Sequence, residues 1–170
     1  MDPFAQLGAV TEPLLATLRR VLENAEKVNR RPVGPGDLLL ALLPERGAAA
    51  GGILRSLSVD LDELETLIDR EIPRDYPEQL TPMAETVLQR AAAEASRSGE
   101  STVGTEHLLL ALSVQPESSV AVVLDRLGIS TESIRRQIAV LLAPPPPSDD
   151  PRAGDQPEEQ PSGDDEQPNR

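Results

Sequence analysis

Among the side chains suited to acid–base chemistry, the most suggestive are the neighbours Glu106 and His107. His107 is the only histidine in the sequence, so a Ser-His-Asp triad or a histidine-based metal site would have to include it. Consecutive residues of a helix diverge by about 100°. We therefore expect the two side chains to point apart, and the sequence predicts no catalytic pair.

Cysteine chemistry and a phosphate-binding P-loop are both excluded by the sequence. There is no cysteine, which excludes a thiolate nucleophile, a disulfide and a cysteine zinc site. Lys27 is the only lysine, and no GxxxxGK[ST] motif precedes it, so the sequence has no P-loop. We predict a protein that is not an enzyme, with no metal site and no cofactor.

The charge and the apolar runs exclude two kinds of partner. The formal net charge is −13, whereas nucleic-acid binding needs a basic surface. No apolar run approaches the roughly 20 residues that span a bilayer, and the first residues lack the basic start and apolar stretch of a signal peptide. We expect a cytoplasmic protein that binds neither nucleic acid nor a membrane.

Two glycine-led turns, each followed by the same leucine-rich run, mark the helix starts that organise the chain. The run Leu-Leu-Leu-Ala-Leu occupies residues 38–42 and again residues 108–112. The first copy is preceded by Gly34-Pro35-Gly36-Asp37 and the second by Gly104-Thr105-Glu106-His107. The shared leucines predict core positions. The polar turn of the second copy is where we predict the function.

These turns belong to a repeat that runs through most of the chain with a period of 70 residues and no gap. Within each copy, apolar residues at spacings of three and four predict four helices. Neither copy has enough large apolar side chains to be stable alone, so we expect the two to pack together. The predicted fold is all-α, an eight-helix, pseudo-two-fold double repeat of a four-helix unit. Identical residues occupy Thr11/Thr81, Leu18/Leu88, Arg20/Arg90, Val33/Val103, Leu54/Leu124, Leu57/Leu127 and Ile68/Ile138.

Capping residues predict where the helices begin. The predicted starts are Thr11, Gly36 or Asp37, Gly47, Asp60, Thr81, Thr105 or its neighbour, Ser118, and Ser130 or Thr131.

The composition divides the chain into three parts. Residues 1–9 form a lead-in that is ordered only if Phe4 docks, and residues 10–143 hold the double repeat, with copies at 10–72 and 80–143. Residues 144–170 open with four prolines and carry eight acidic residues against two arginines, with no large apolar side chain to bury. Such a segment does not offset the entropy of ordering itself, so we predict a disordered, proline-rich acidic tail.

The double repeat and the stretch Val103-Gly104-Thr105-Glu106-His107 before its leucine run resemble the Clp N-terminal repeat domain, also called the Clp R domain. The helix start Leu80-Thr81-Pro82 and the turn Leu127-Gly128-Ile129 fit the same family, and the resemblance covers residues 10–142. That domain precedes the ATPase modules of Hsp100/Clp unfoldases, and we expect no such module here. The chain is similar to stand-alone Clp-N proteins of actinobacteria, which are related to ClpC-type chaperones.

The resemblance implies a non-catalytic module that binds clients, adaptors or Clp components. In ClpC-type domains each repeat can hold a phosphorylated arginine, and in the second copy that site would consist of Thr81, Glu106 and the backbone from Val103 to Thr105. Glu106 would accept guanidinium N–H groups, while Thr81 and the N–H groups of helix starts would bind the phosphate. Without the family context, Glu106 is an ordinary first-turn carboxylate and Thr81 a plain N-cap.

The first copy departs from this pattern. Pro35, Gly36 and Asp37 stand where the second copy has Thr105, Glu106 and His107. The carboxylate is therefore absent at position 36, and Asp37 is expected to point elsewhere on the turn. If the family's mode of binding operates, the sequence predicts one site rather than two.

The resemblance also implies a surface for peptides. Cyclic-peptide antibiotics bind related chaperone domains near residues that correspond here to Phe4, Leu80, Pro82 and Glu85, although Leu80 replaces a frequent aromatic residue and Glu85 a commonly basic one. The implied function is that of a modulator of, or a decoy for, a Clp unfoldase–protease system, including sequestration of such peptides. The alternative is a structural partner or adaptor that docks directly on a Clp ATPase and has a vestigial ligand site.

Overall fold

Apolar spacing and capping residues give an all-helical chain. The computed structural model describes residues 4–27, 33–45, 47–71 and 81–143. Within these ranges the backbone forms eight α-helices, one short 3-10 turn and no strand, which confirms the predicted fold class. The helices are α1 (Glu12–Lys27), α2 (Pro35–Leu42), α3 (Ala49–Ser56), α4 (Leu61–Glu71), α5 (Pro82–Arg97), α6 (Thr105–Ser113), α7 (Ser119–Arg126) and α8 (Thr131–Leu142).

Four of the eight described helices begin at a predicted side-chain cap, namely Asp60, Thr81, Ser118 or Ser130. The hydroxyls of Thr81, Ser118 and Ser130 each accept a backbone N–H from the third residue beyond, at 3.1 Å. The cap of α2 was predicted at Gly36 or Asp37 and is wrong by two or three residues, because Gly34 is the N-cap. Asp37 lies at the third helical position, where its Oδ2 accepts the N–H of Gly34 at 2.9 Å.

The first helix of each copy is hydrogen-bonded at its start to the other copy. The N–H of Thr11 donates to the carbonyl of Val103 at 3.0 Å, and the N–H of Thr81 donates to the carbonyl of Val33 at the same distance. These bonds are related by the 70-residue shift, and the helix packing follows it: α3 contacts α6 and α8, while α7 contacts α2 and α4. Each copy therefore begins its first helix on the glycine-led turn of the other copy.

The leucine runs lie at the centre of this arrangement. Their most buried members are at most 1% exposed, and α2 and α6 contact each other. Phe4 is only 8% exposed, and the 3-10 turn Ala5–Leu7 packs on α5, so the lead-in docks from Phe4 onward. The predicted acidic tail at 144–170 lies outside the described residues. None of the described helices combines the length and apolarity needed to cross a bilayer. The fully buried leucines of the runs are Leu38, Leu39, Leu42, Leu108, Leu109 and Leu112.

Candidate ligand-binding site

Three helix N-termini meet at the glycine-led turn of the second copy. Gly104 is the N-cap of α6, and the N–H of Thr11, at the start of α1, bonds the preceding Val103. Ala50, in the first turn of α3, donates its N–H to the hydroxyl oxygen of Thr105 at 3.2 Å. The positive dipole ends of these helices meet at the turn, so it favours negative charge.

Thr105 has a structural role that the sequence did not reveal. Its side chain is buried, and its hydroxyl caps α3, whose own N-cap residue is Ala48 and offers no side-chain acceptor. The two-fold counterpart α7 is capped by its own Ser118, and the position that matches Thr105 is Pro35. Thr105 therefore joins the two copies, and only one of the two related helices needs it.

His107 is buried and completes the turn of the second copy. It is 1% exposed, and its Nδ1 accepts the N–H of Gly104 at 3.0 Å, as Asp37 does for Gly34 in the first copy. An accepting Nδ1 places the proton of the neutral ring on Nε2, which lies 3.5 Å from Oε1 of Glu100. His107 and Asp37, which occupy matching positions, thus accept the equivalent backbone N–H in the two turns.

Glu106 folds back over the turn and approaches His107. Its Oε1 lies 3.2 Å from Nδ1 of His107. A Cβ added at Gly104 would overlap the Glu106 carboxylate, so this conformation depends on glycine at that position. The prediction that Glu106 and His107 point apart is wrong, because side chains in a helix lean toward its N-terminus and here meet a residue without a side chain.

The electrostatics keep Glu106 ionised. Burial raises the pKa of Glu106, but hydrogen bonds with a protonated His107 ring, with the Glu106 backbone and with Thr105, together with the charge of that ring, lower the pKa overall. Burial lowers the pKa of His107, but its hydrogen bond with Glu106 and the nearby carboxylates of Glu106, Glu100 and Glu94 raise the pKa overall. The Glu106 side chain is 14% exposed, so a charged acceptor reaches solvent among three helix N-termini.

The same groups also have the spacing of metal ligands. Glu100, Glu106 and His107 place one donor atom each within 4.8 Å of one another. A histidine binds a metal through an unprotonated ring nitrogen. Here Nδ1 accepts the Gly104 N–H and the proton lies on Nε2, so the neutral ring in this arrangement does not offer a nitrogen to a metal.

The structure does not bring Thr81 and Glu106 together. Thr81 begins α5, whereas Glu106 lies beside Glu100, beyond the other end of that 16-residue helix, about 24 Å away along its axis. Their grouping into one site is therefore wrong, because the N–H of Thr81 is bonded to Val33, at the turn of the first copy. Thr11 takes its place beside Val103. The ligand-binding roles themselves stay predictions.

Thr81 instead lines a pocket at the first copy's turn. The pocket has a volume of about 480 Å³ and lies where the N-termini of α2, α5 and α7 meet, so it is the two-fold counterpart of the Glu106 turn. Gly36 stands where the other turn has Glu106, and Asp37 is turned toward the N–H of Gly34, as the sequence predicted. The lining residues are Gly34–Asp37, Thr81, Pro82, Met83 and Glu117–Ser119.

The predicted peptide surface is only partly present. Pro82 and Glu85 are exposed on the first turn of α5. Phe4 is 8% exposed and packs in the core, so it presents little surface here, and its part in peptide binding stays a prediction. Leu80 lies outside the described residues.

Comparison with known sequences gives one consistent family. The pattern of the Clp repeat (R) N-terminal domain matches residues 79–162. The protein called negative regulator of genetic competence ClpC/MecB, from Bacillus subtilis, is 33% identical over 139 residues, covering 79% of this chain and 17% of that protein. Chloroplastic chaperone protein ClpC2 from Arabidopsis thaliana is 32% identical over 143 residues, covering 80% and 15%. The chain thus spans about a sixth of the length of the curated relatives it matches.

Solved structures agree with the fold. The Hsp104 N-terminal domain from Candida albicans superposes with a TM-score of 0.66 at 21% identity, covering 78% of this chain and 91% of that one. The N-terminal domain of the ClpV1 ATPase from Escherichia coli gives a TM-score of 0.65 at 21% identity, covering 82% and 90%. At these identities the similarity concerns the fold alone.

Proposed function

Because this chain belongs to the Clp repeat (R) N-terminal domain family, we propose that it is a non-catalytic module that binds ligands directed to a Clp unfoldase–protease system. The observation that carries the proposal is the ionised, partly exposed Glu106 carboxylate at the meeting point of three helix N-termini. This combination offers a carboxylate for a cation beside N–H groups for an anion. A phosphorylated arginine side chain carries both charges.

The two halves of such a ligand have separate partners at this turn. A guanidinium group has a planar fork of N–H donors that fits the two oxygens of Glu106. The phosphate would bind the N-terminal ends of α1 and α6, near Thr11 and the backbone from Val103 to Thr105. The pocket of the first copy has N–H groups but Gly36 in place of a carboxylate, so we propose one binding site for the chain.

Calorimetric titration with free phosphoarginine tests this assignment. Glu106→Gln keeps the shape of the side chain and removes its charge, so we expect at least about a tenfold loss of affinity, the usual worth of a hydrogen bond to a charged group. Glu132→Gln is the matched control, because Glu132 is also the second residue of a helix but is exposed on α8. Equal binding by the wild type and Glu106→Gln, or no binding by the wild type, contradicts the proposal.

A gain-of-function variant probes the difference between the copies. Gly36→Glu places a carboxylate at the position that matches Glu106, beside Gly34, which has no side chain to obstruct it. We expect the stoichiometry of phosphoarginine binding to rise from one to two. A stoichiometry of one for a folded variant would show that a carboxylate and three helix N-termini are not sufficient.

We further propose that ligand binding lets the protein modulate a Clp system or act as a decoy for it, including sequestration of cyclic-peptide antibiotics. The described part of the predicted peptide surface consists of Pro82 and Glu85. Titration of a Clp-targeting cyclic peptide against the wild type and Glu85→Lys tests this part, because a basic residue is common at that position in relatives of the ClpC type. An identical response of the two proteins argues against this surface.

A second candidate function is an adaptor that docks directly on a Clp ATPase. Three consecutive apolar side chains near the end of α8, Val140, Leu141 and Leu142, are 65%, 55% and 51% exposed, which is unusual for residues of their kind. Pull-down with a purified Clp ATPase separates the two functions. Capture that is lost in Leu141→Ser but kept in Glu106→Gln favours the adaptor.

A further inference from the structure

One nitrogen of His107 faces both a donor and an acceptor. The N–H of Gly104 lies 3.0 Å from Nδ1, and Oε1 of Glu106 lies 3.2 Å from the same atom. A nitrogen with a lone pair attracts the first group and repels the second, and a protonated nitrogen does the reverse. Nδ1 therefore satisfies only one of these neighbours at a time, and the protonation state of the ring decides which one.

The other ring nitrogen also faces a carboxylate. Nε2 is buried and lies 3.5 Å from Oε1 of Glu100, an oxygen that is itself buried without a hydrogen bond. A protonated ring therefore lies between two carboxylates, those of Glu106 and Glu100. Glu94 on α5 is the third acid nearby, and it is bound at 2.7 Å by Arg97 and approached at 3.8 Å by Arg135 of α8.

We propose that His107 is a positioning residue of the ligand site, which frees the Glu106 carboxylate when neutral and holds it when protonated. In the neutral state Nδ1 accepts from Gly104, and its lone pair leaves Glu106 available to a cation. In the protonated state Nδ1 donates a charge-assisted hydrogen bond to Glu106, and the ring adds a positive charge at the place where a guanidinium group would bind. Cation binding at Glu106 therefore weakens as the pH falls.

This inference rests on the proposed function only for the identity of the ligand. The competition between the Gly104 N–H and the Glu106 carboxylate for Nδ1 can be measured without a ligand. His107 is the only histidine in the sequence and gives a single set of ring signals in an NMR titration. We expect Glu106→Gln to lower the pKa of the ring, because the variant replaces a charged acceptor by a neutral one and removes the negative charge that stabilises the protonated ring. An unchanged ring titration in a folded Glu106→Gln protein overturns the inference.

The effect on binding is tested with methylguanidinium, which carries the cation of the ligand without its phosphate and keeps its charge across the pH range used. We expect its dissociation constant to be at least about fivefold larger at pH 6 than at pH 8, as for competition with a hydrogen bond between charged groups. His107→Asn supplies the control, because an asparagine oxygen can accept the Gly104 N–H but carries no charge. Its binding should be equal at the two pH values.

The outcomes separate this inference from the proposed function. Binding of methylguanidinium by the wild type with the same affinity at both pH values overturns the positioning role and leaves the Glu106 site standing. A pH dependence that persists in His107→Asn also overturns that role. If methylguanidinium does not bind at either pH, the guanidinium assignment fails, and the ring titration of Glu106→Gln still decides whether His107 holds Glu106.

Discussion

The hydroxyl of Thr105 links the two copies, and its removal makes a quantitative test of the structure. Thr105→Val replaces the hydroxyl by a methyl group of similar size on an equally branched side chain, so packing and helix propensity change little. The N–H of Ala50 loses its hydrogen-bond acceptor, because that acceptor is the Thr105 hydroxyl at 3.2 Å. The bond is buried, and the N-cap residue Ala48 offers no replacement.

The expected cost follows from these facts. Loss of a capping side chain costs about 0.5–2 kcal/mol, and a buried donor left without a partner costs about 1–3 kcal/mol. Both describe the same bond, so we expect the free energy of unfolding to fall by about 1–2 kcal/mol. For a chain of this size that corresponds to a decrease in Tm of about 3–6 °C.

Urea denaturation of three variants measures this cost. Thr105→Ser keeps the hydroxyl and should remain closer to the wild type than Thr105→Val. Ser118→Ala, which removes the cap of the two-fold counterpart α7, should cost a similar amount, since that bond is 3.1 Å long. If Thr105→Val lies within about 0.3 kcal/mol of the wild type, or Thr105→Ser is equally destabilised, the link between the copies is refuted.

Three further predictions concern the turns and the helix ends. Gly104→Ala should displace the Glu106 carboxylate and weaken phosphoarginine binding at least about fivefold by calorimetry, whereas Gly34→Ala meets no atom closer than 3.7 Å and should bind as the wild type does. Arg20→Ala removes a 2.7 Å ion pair with Glu45, whose side chains are 31% and 26% exposed, and a 2.9 Å hydrogen bond to the carbonyl of Ala41, so denaturation should show a loss of about 1 kcal/mol; no change would contradict a stabilising role of these contacts. Because the pKa of Glu106 is lowered in the folded state, its stabilising contribution is complete above its ordinary pKa and is lost as the pH falls through its folded pKa. Unfolding free energies from pH 5 to pH 3 should therefore fall more for the wild type than for Glu106→Gln, and parallel curves would contradict the ionised state of Glu106.

Local chemistry was readable from the sequence wherever a residue acts on its own neighbours. Thr81, Ser118 and Ser130 cap the helices that their types and positions predicted. The start of α2 was misplaced because an aspartate is common both as the N-cap and as the third residue of a helix, where it accepts the N–H of the N-cap residue. Only the extended backbone conformation of Gly34 shows that Asp37 has the second role.

The contacts between the two copies could not be predicted from the sequence. A period of 70 residues shows that two units exist, but it does not show that Thr81 meets the turn of the first copy and Thr11 that of the second. The same limit hid the role of Thr105, since its partner Ala50 lies 55 residues away. The approach of Glu106 to His107 was missed for another reason: the absence of a side chain at Gly104 matters only once the direction of Glu106 is known.

The bonds between the first helix of each copy and the turn of the other copy also explain how one fold accommodates two different turns. A single copy, cut from its neighbour, has no turn on which to start its first helix, and would find one only on a second identical chain, as in a symmetric homodimer. In such an assembly any substitution appears twice, so both turns must be acidic or both neutral. Joining the copies in one chain removes that constraint. Position 106 can then be glutamate while position 36 is glycine, and the scaffold remains intact because the two helix-start bonds between the copies, Thr11 to Val103 and Thr81 to Val33, join backbone groups.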